Sequence, residues 1–230
     1  PLRLAKEYDI NKLEFGTVVS PEELLSRMRP LGVRGPAGCG KTTWMRFTFR
    51  RLLDNENAFP IMIELRRLVR EWLQDGIGPG KRSLDAYIDR WVSDYVRNGH
   101  EEEVHALLEA KEGPRPVLLV DGWDETGDLG EDLRAKLKGF MNTHPRVLVL
   151  VSSRPYGEGR PSHSDGFDEL NVQPLSSAEI RQFAVNFFTC CYREDRVPAS
   201  ESVDEFMAAL ERTPEAAALA RTALLLTMML

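Results

Sequence analysis

A lysine and two threonines directly behind a glycine-rich turn are the residues of this chain best equipped for chemistry: Gly35-Pro36-Ala37-Gly38-Cys39-Gly40-Lys41-Thr42-Thr43. The first eight fit the spacing G-x-x-x-x-G-K-[ST] in full. Glycines at these places let successive backbone N–H groups turn inward and cradle phosphate oxygens, and a helix that follows points its positive dipole end at them. Lys41 would then reach the β- and γ-phosphates of a nucleotide, and the Thr42 hydroxyl would ligate Mg²⁺. Cys39 reads as a filler whose backbone does the binding.

A second constellation is acidic. Val117-Leu118-Leu119-Val120 is an apolar run that delivers Asp121, and Gly122-Trp123 separates it from the pair Asp124-Glu125. In open α/β sheets ligands sit at the carboxyl ends of the strands, which is where such a run places Asp121. Asp121 would hold Mg²⁺ through water, because that ion rarely sheds its whole shell. Several carboxylates crowded together suit a site where a cation and a water use them. Trp44, Trp72 and Trp91 read as core by their spacing, and Trp123, inside the acidic motif, reads as the exception.

These motifs need elements to carry them. Ser20-Pro21-Glu22-Glu23 is a capping box with proline in the first turn, opening a helix through Met28. A strand over 31–34 leads into the glycine turn, and a helix over 41–53 follows. Residues 59–65, 116–121 and 147–152 are near-continuous apolar runs of strand length, as in parallel strands buried on both faces; a fifth short strand covers 170–172. Amphipathic helices are expected over 83–95, stopped by Asn98-Gly99, around Val104, Leu107 and Leu108, and around Leu133, Leu137, Phe140 and Met141. After Pro174 only helical patterns remain, with capping boxes at Ser176-x-x-Glu179 and Ser202-x-x-Glu205; Cys190 and Cys191 fall where core residues go. Strands alternating with helices, then helices alone, imply an α/β domain followed by a helical one. The expected division is a lead-in over 1–30, an α/β core over 31–174 and a helical domain over 175–230.

Composition narrows the function. The 230 residues are 42% hydrophobic, so a sizeable core can form, and 30 Lys+Arg against 36 Asp+Glu give a net charge of -6. That balance argues against a dedicated DNA or RNA binder, which normally carries a basic excess. The cluster Arg66, Arg67 and Arg70 reads as a solvated helix face. The longest apolar-rich stretch, 216–230, is too short to span a bilayer and carries Arg221. Three cysteines make no disulfide framework, and no leader pattern is visible, so a cytoplasmic setting is expected. A start without Met and an end inside an apolar run read as a piece of a longer protein. Ser162-His163-Ser164-Asp165 holds the letters of a catalytic triad, but neighbours in one loop do not form its geometry. His100 and His105 are five apart and share no helix face for a metal.

The two nucleotide motifs together resemble the NACHT group of signal-transduction ATPases with numerous domains. GPAGCGKTT is followed by VLLVDGWDE; then residues 147–155 resemble that group's sensor strand, ending in Ser-Arg154-Pro155. Residues 170–180 with Phe187-Phe188 resemble the entry into its helical domain, and 219–227 the segment that closes over adenine. The resemblance implies a P-loop NTPase fold: a three-layer α/β/α core on a mostly parallel five-stranded sheet, with a truncated helical domain behind it. It implies ATP or ADP with Mg²⁺ as cofactors. Gly35, Pro36, Ala37, Gly38, Cys39, Gly40, Lys41, Thr42 and Thr43 would bind the nucleotide, and Thr42 and Asp121 the metal. Asp124 or Glu125 would orient or activate the attacking water, and Arg154 would sense the γ-phosphate. The strand that ends at Arg154 is expected between the phosphate-loop strand and the Asp121 strand. The family usually carries proline where this chain has Ala223, so adenine contact there would be looser, or the helix would run on unbroken from an opening at Thr213-Pro214.

The expected function is an ATP-binding, slowly hydrolysing switch that changes conformation and self-associates, in a signalling, innate-immune or antiviral defence protein whose effector and sensor domains lie outside these residues. Direct nucleic-acid or membrane binding is not expected. The alternatives are a small-molecule kinase sharing only the phosphate loop, and a module that holds nucleotide without turnover. A GTPase would need Asn-Lys-x-Asp downstream; the only Asn-Lys, Asn11-Lys12, lies upstream.

Overall fold

Apolar strands that must bury both faces, separated by amphipathic helices, leave one economical arrangement: a parallel sheet between helical layers. The computed structural model describes residues 4–6, 20–96, 99–156, 159–191 and 199–230. Its strands are β1 (Leu4–Lys6), β2 (Leu31–Arg34), β3 (Ala58–Glu64), β4 (Arg115–Asp121), β5 (Leu148–Ser153) and β6 (Asp168–Val172). Its helices are α1 (Pro21–Ser26), α2 (Lys41–Leu53), α3 (Leu65–Gln74), α4 (Leu84–Tyr95), α5 (Glu101–Glu109), α6 (Gly130–Thr143), α7 (Ser177–Cys191), α8 (Ala199–Arg212), α9 (Pro214–Ala220) and α10 (Ala223–Met229).

The sheet order is β1-β6-β2-β5-β4-β3. Strands β2 to β6 run parallel, and β5 lies between β2 and β4, the order implied by the resemblance. The structure adds a sixth strand: β1 pairs antiparallel with β6, Leu4 opposite Val172. Three residues are too few to carry an alternation pattern, so nothing in the lead-in announces it.

The described residues form two compact units. The first comprises those up to Gly35 and those from Lys41 to Val172. Alternate residues of its central strands serve opposite layers. Ile61, Ile63, Leu118, Val120, Val149 and Val151 join a core with residues of α3, α4, α5 and α6. Helix α2 packs on β3, β4 and β5 and buries Trp44, Met45, Thr48 and Leu52. The buried guanidinium of Arg34, at the end of β2, ion-pairs with Glu169 of β6. Burial costs such a charge its hydration, and Glu169 offsets part of that.

The second unit comprises Pro36–Gly40 and residues 173–230. Ile180, Leu210, Ala220 and Leu226 form its core, with Phe183, Phe206 and Met207 against them. The Ser176 box is present: Glu179 N–H donates to Ser176 Oγ (3.3 Å), and Ser176 N–H to Glu179 Oε2 (2.8 Å).

Several expectations are corrected. Helix α1 ends at Ser26 rather than Met28, because Arg27 is extended (φ -72, ψ 138). Helix α8 already includes Ala199, so Ser202 lies inside it and is not its cap. Alanine and glutamate are good helix formers and extend the helix backwards past the serine. Cys190 is exposed, since 100° per residue turns it off the face of Ile180 and Ala184; the Cys191 side chain lies outside the described residues, as does Asn98. Ser162 and Asp165 form a capping box on a 3-10 turn. Of the two alternatives at Ala223, the unbroken helix is not what forms: α9 ends at Ala220, and α10 starts afresh at Ala223 with Thr222 as its extended N-cap (φ -103, ψ 122). Pro214 does open α9, but Thr213 makes no side-chain cap bond.

Candidate functional site

The carboxyl edge of the sheet is where the first unit gathers its polar groups. Strand β2 delivers Arg34 and then Gly35, whose N–H donates to Ser153 O of the neighbouring β5 (3.2 Å). The connection from Gly35 to Lys41 is too tight for ordinary backbone: Gly38 has φ 73 and Gly40 φ 101, where an L side chain would be strained. Within it, Cys39 N–H donates to Pro36 O (3.4 Å), and the cysteine side chain is buried. Pro36 and Ala37 are exposed, as are Thr42 and Thr43 on the first turn of α2. Lys41, the first residue of α2, folds its ammonium back onto Gly35 O at 2.7 Å. An ammonium has three donors, so a phosphate can be met while this bond remains.

The tip of the loop packs within the second unit. Leu224 N–H, near the start of α10, donates to Gly38 O at 3.0 Å. A Cβ on Gly38 would lie 2.9 Å from Leu224 Cβ, so a side chain there has no room even apart from its φ.

Strand β4 ends in Asp121, which is 7% exposed. Its carboxylate accepts from the Ser152 hydroxyl of β5, and that oxygen in turn accepts from Gly122 N–H at 2.9 Å. Ser152 thus orients Asp121 from the neighbouring strand. Gly122 then turns the chain with φ 86, a left-handed conformation suited to glycine, into a 3-10 turn of Trp123, Asp124 and Glu125. Asp124 Oδ2 accepts from Arg154 Nε at 2.7 Å, just beyond the end of β5. Glu125 lies 3.9 Å from the guanidinium of Arg66, and both remain largely in water.

Three acids (Asp121, Asp124, Glu125) and two cations (Lys41, Arg154) expected from the sequence therefore lie at this edge, and others join them. Glu64 ends β3 in register with Asp121 and accepts from Arg46 of α2 at 2.8 Å. That hydrogen bond is the largest cause of a raised Arg46 pKa; burial opposes it, and the charges of Glu64 and Asp121 add to it. The signal for Glu64 was present: like Asp121, it is an acid at the end of an apolar strand. Arg67, expected to be merely solvated, bonds Glu71 and Asp94.

Trp123 is corrected. It is 2% exposed and belongs to the main core, with its indole N–H donating to Gly159 O at 3.0 Å. A ring that large, held on the tight turn after a buried strand, has nowhere to point but inward.

For a nucleotide with Mg²⁺ the residues fit. Within the first unit, the returning lysine and a buried, oriented Asp121 are groups such a ligand uses. Among the described residues no group of three His, Cys, Asp or Glu could hold a metal by itself. Thr42 and Asp121 are the residues that could hold a divalent ion together with the phosphates. No helix among the described residues is long and apolar enough to cross a membrane.

Comparison with known proteins shows a family and a fold. The profile of the NACHT domain matches residues 29–191. No functionally curated protein matches the sequence. Among solved structures, Drosophila ORC bound to DNA is similar with a TM-score of 0.52 at 15% identity, covering 86% of this chain and 56% of that one. A DNA replication initiation factor gives 0.50 at 11% identity, covering 82% and 52%. The chain spans about half the length of these structures, and at such identities the likeness is one of fold alone.

Proposed function

The chain belongs to the NACHT domain family and is a nucleotide-binding P-loop NTPase module; we propose that it acts as an ATP-dependent switch with slow turnover, whose state is read by the helices that follow the α/β core. The observation that carries this reading is the Arg154–Asp124 ion pair at 2.7 Å, formed on the edge that also holds Lys41 and Asp121.

Lys41 and the backbone N–H groups of residues 35–42 bind the β- and γ-phosphates. Thr42 and Asp121 hold Mg²⁺, which supplies charge neutralisation on the phosphate oxygens. A γ-phosphate offers Arg154 a more highly charged partner than a carboxylate does, so its arrival draws the guanidinium away from Asp124. Asp124 is then free to accept a proton from a water that attacks the γ-phosphorus, as the bond to the β-bridging oxygen breaks and ADP and phosphate form. While Asp124 is engaged by Arg154 it is not available to a water, which keeps hydrolysis slow until that exchange occurs. Glu125, nearer to solvent, is the second candidate for this role.

The switch rests on Gly38. Its carbonyl accepts from Leu224 N–H, so a change in the loop peptides as phosphate binds or leaves is felt at α10. In the full-length protein this would govern self-association and the exposure of effector and sensor domains, in a signalling or defence role. The Arg154–Asp124 pair also favours a second reading, a module that holds nucleotide with negligible turnover.

Nucleotide released from the purified chain, identified by mass spectrometry, tests the base: ADP or ATP is expected, and GDP would refute it. Sedimentation with ATP against ADP tests the switch, a larger assembly being expected with one nucleotide only.

A further inference from the structure

Asp124, Glu125 and Glu64, at the carboxyl edge of the sheet, each have an arginine beside them. Arg154 holds Asp124 at 2.7 Å, Arg66 lies 3.9 Å from Glu125, and Arg46 donates to Glu64 at 2.8 Å. Arg46 alone of the three stands on α2, four residues after Thr42. Residues four apart share a helix face, so Arg46 sits one turn behind the threonine assigned to the metal. The strands bring two acids to the same place. Glu64 and Asp121 are Cα partners at the ends of β3 and β4. Ile63 and Val120, one residue earlier, belong to the core with α3 to α6, so alternation turns both carboxylates to the other layer, where α2 packs.

Arg46 feels both acids. The Glu64 hydrogen bond does most to raise its pKa, burial opposes this, and the charges of Glu64 and then Asp121 add to it. Lys41, whose ammonium bonds Gly35 O, supplies the second positive charge of this corner. Two carboxylates are thus set against two fixed cations, and a bare divalent ion meets little net negative charge. The phosphates of a nucleotide change that balance, because they bring several negative charges together. The side chains of Arg46 and Glu64 are 63% and 48% exposed, so their pair can part into water when an ion enters, and neither charge is left buried.

We propose that Arg46, tethered by Glu64, controls entry of the metal: its charge balances the acids at Asp121 and makes binding of a divalent ion depend on the phosphates of a nucleotide. This rests on the nucleotide reading above and concerns an arginine to which that reading gives no role.

The test follows Mn²⁺, a paramagnetic substitute for Mg²⁺, by electron paramagnetic resonance on the whole chain, with and without ADP. Arg46→Gln removes the charge from an exposed helical position and leaves a good helix former there. One charge about a helical turn from a divalent ion, screened nearly as in water, changes the affinity for that ion on the order of tenfold. Without ADP, Arg46→Gln should therefore bind Mn²⁺ about tenfold more tightly than the unsubstituted chain. The gap between affinities with and without ADP should narrow. Arg46→Lys, which keeps the charge, should bind as the unsubstituted chain does, and Asp121→Asn added to Arg46→Gln should abolish the gain. Arg66→Gln removes a charge from the same edge but not from the turn behind Thr42, and should change little. An unchanged Mn²⁺ affinity in Arg46→Gln, a gain that survives Asp121→Asn, or an equal gain in Arg66→Gln would overturn the proposal. So would an equal gain with and without ADP. Binding of ADP in EDTA, compared with Lys41→Ala, reports the nucleotide reading on its own. Its absence refutes that reading and the proposal with it, whereas its presence beside an unchanged Mn²⁺ affinity refutes the role of Arg46 alone.

Discussion

Ala223→Pro asks whether the break between α9 and α10 exists in solution. Helix α9 ends at Ala220, Arg221 is its C-cap, and Thr222 is extended at φ -103, ψ 122. Ala223 is therefore the first residue of α10, and Leu226 N–H closes the first turn onto Thr222 O at 2.9 Å. Proline is well placed at such a position: its fixed φ suits a helix start, and the N–H it lacks is one that a helix leaves unused. The residue before proline must be extended, and Thr222 already is. Proline also restricts the unfolded chain, so the change should stabilise by about 0.4–1 kcal/mol. For a chain of this size that is a rise in Tm of roughly 1–4 °C, read by calorimetry or by circular dichroism at 222 nm. In a continuous helix the same proline would remove a hydrogen bond and clash with the preceding turn, costing about 3 kcal/mol. The fall in Tm would then be on the order of 6–12 °C. A fall of that size would refute the break, and with it the availability of Leu224 N–H to Gly38 O. The comparison has a clear sign, because the two structures of residues 220–224 predict changes in opposite directions.

Lys41→Ala should abolish binding of ATP and ADP in calorimetry, whereas Asp124→Ala should leave ADP affinity within a few-fold and lower kcat, because a water-activating acid acts mainly on the transition state; equal loss of affinity in both would refute the division of roles. Ser152→Ala removes the donor that orients Asp121 and should raise the Mg²⁺ concentration needed for half-maximal ATP binding by about 10–100-fold, with ADP binding in EDTA unchanged. Asp165 supplies a pH test: burial pushes its pKa up, but the Arg134 hydrogen bonds, the Ser162 N–H and the charges of Arg134 and Lys138 together bring it below the ordinary 3.8. A depressed carboxylate stabilises the fold above its unfolded pKa and loses that contribution as pH falls through the folded one. Urea melts from pH 5 down to pH 3 should therefore show a smaller loss in Asp165→Asn than in the unsubstituted chain.

Local signals were legible in the sequence. The glycines of residues 35–40, Lys41 at the head of α2 and Asp121 at the end of an apolar run depend on neighbours within a few positions, which is the range over which turn chemistry, capping and periodicity act. The same holds for the strands at 31–34 and 116–121, placed within a residue of their observed bounds. What depended on strand register was not legible. Ser152 reaches Asp121 across 31 residues, and Trp123 reaches Gly159 across 36, because β4 and β5 pair in one register and no other. Glu64 carried the same mark as Asp121, but only the pairing of β3 with β4 makes the two neighbours. The sequence left the break at Arg221 and Thr222 undecided for a different reason. Alanine before the break and leucine and methionine after it favour helix by propensity, and a contact at Gly38, far away in the chain, accompanies the interruption. Propensities of a few tenths of a kcal/mol per residue yield to packing and to hydrogen bonds made elsewhere, and those are decided only when the whole chain has closed on itself.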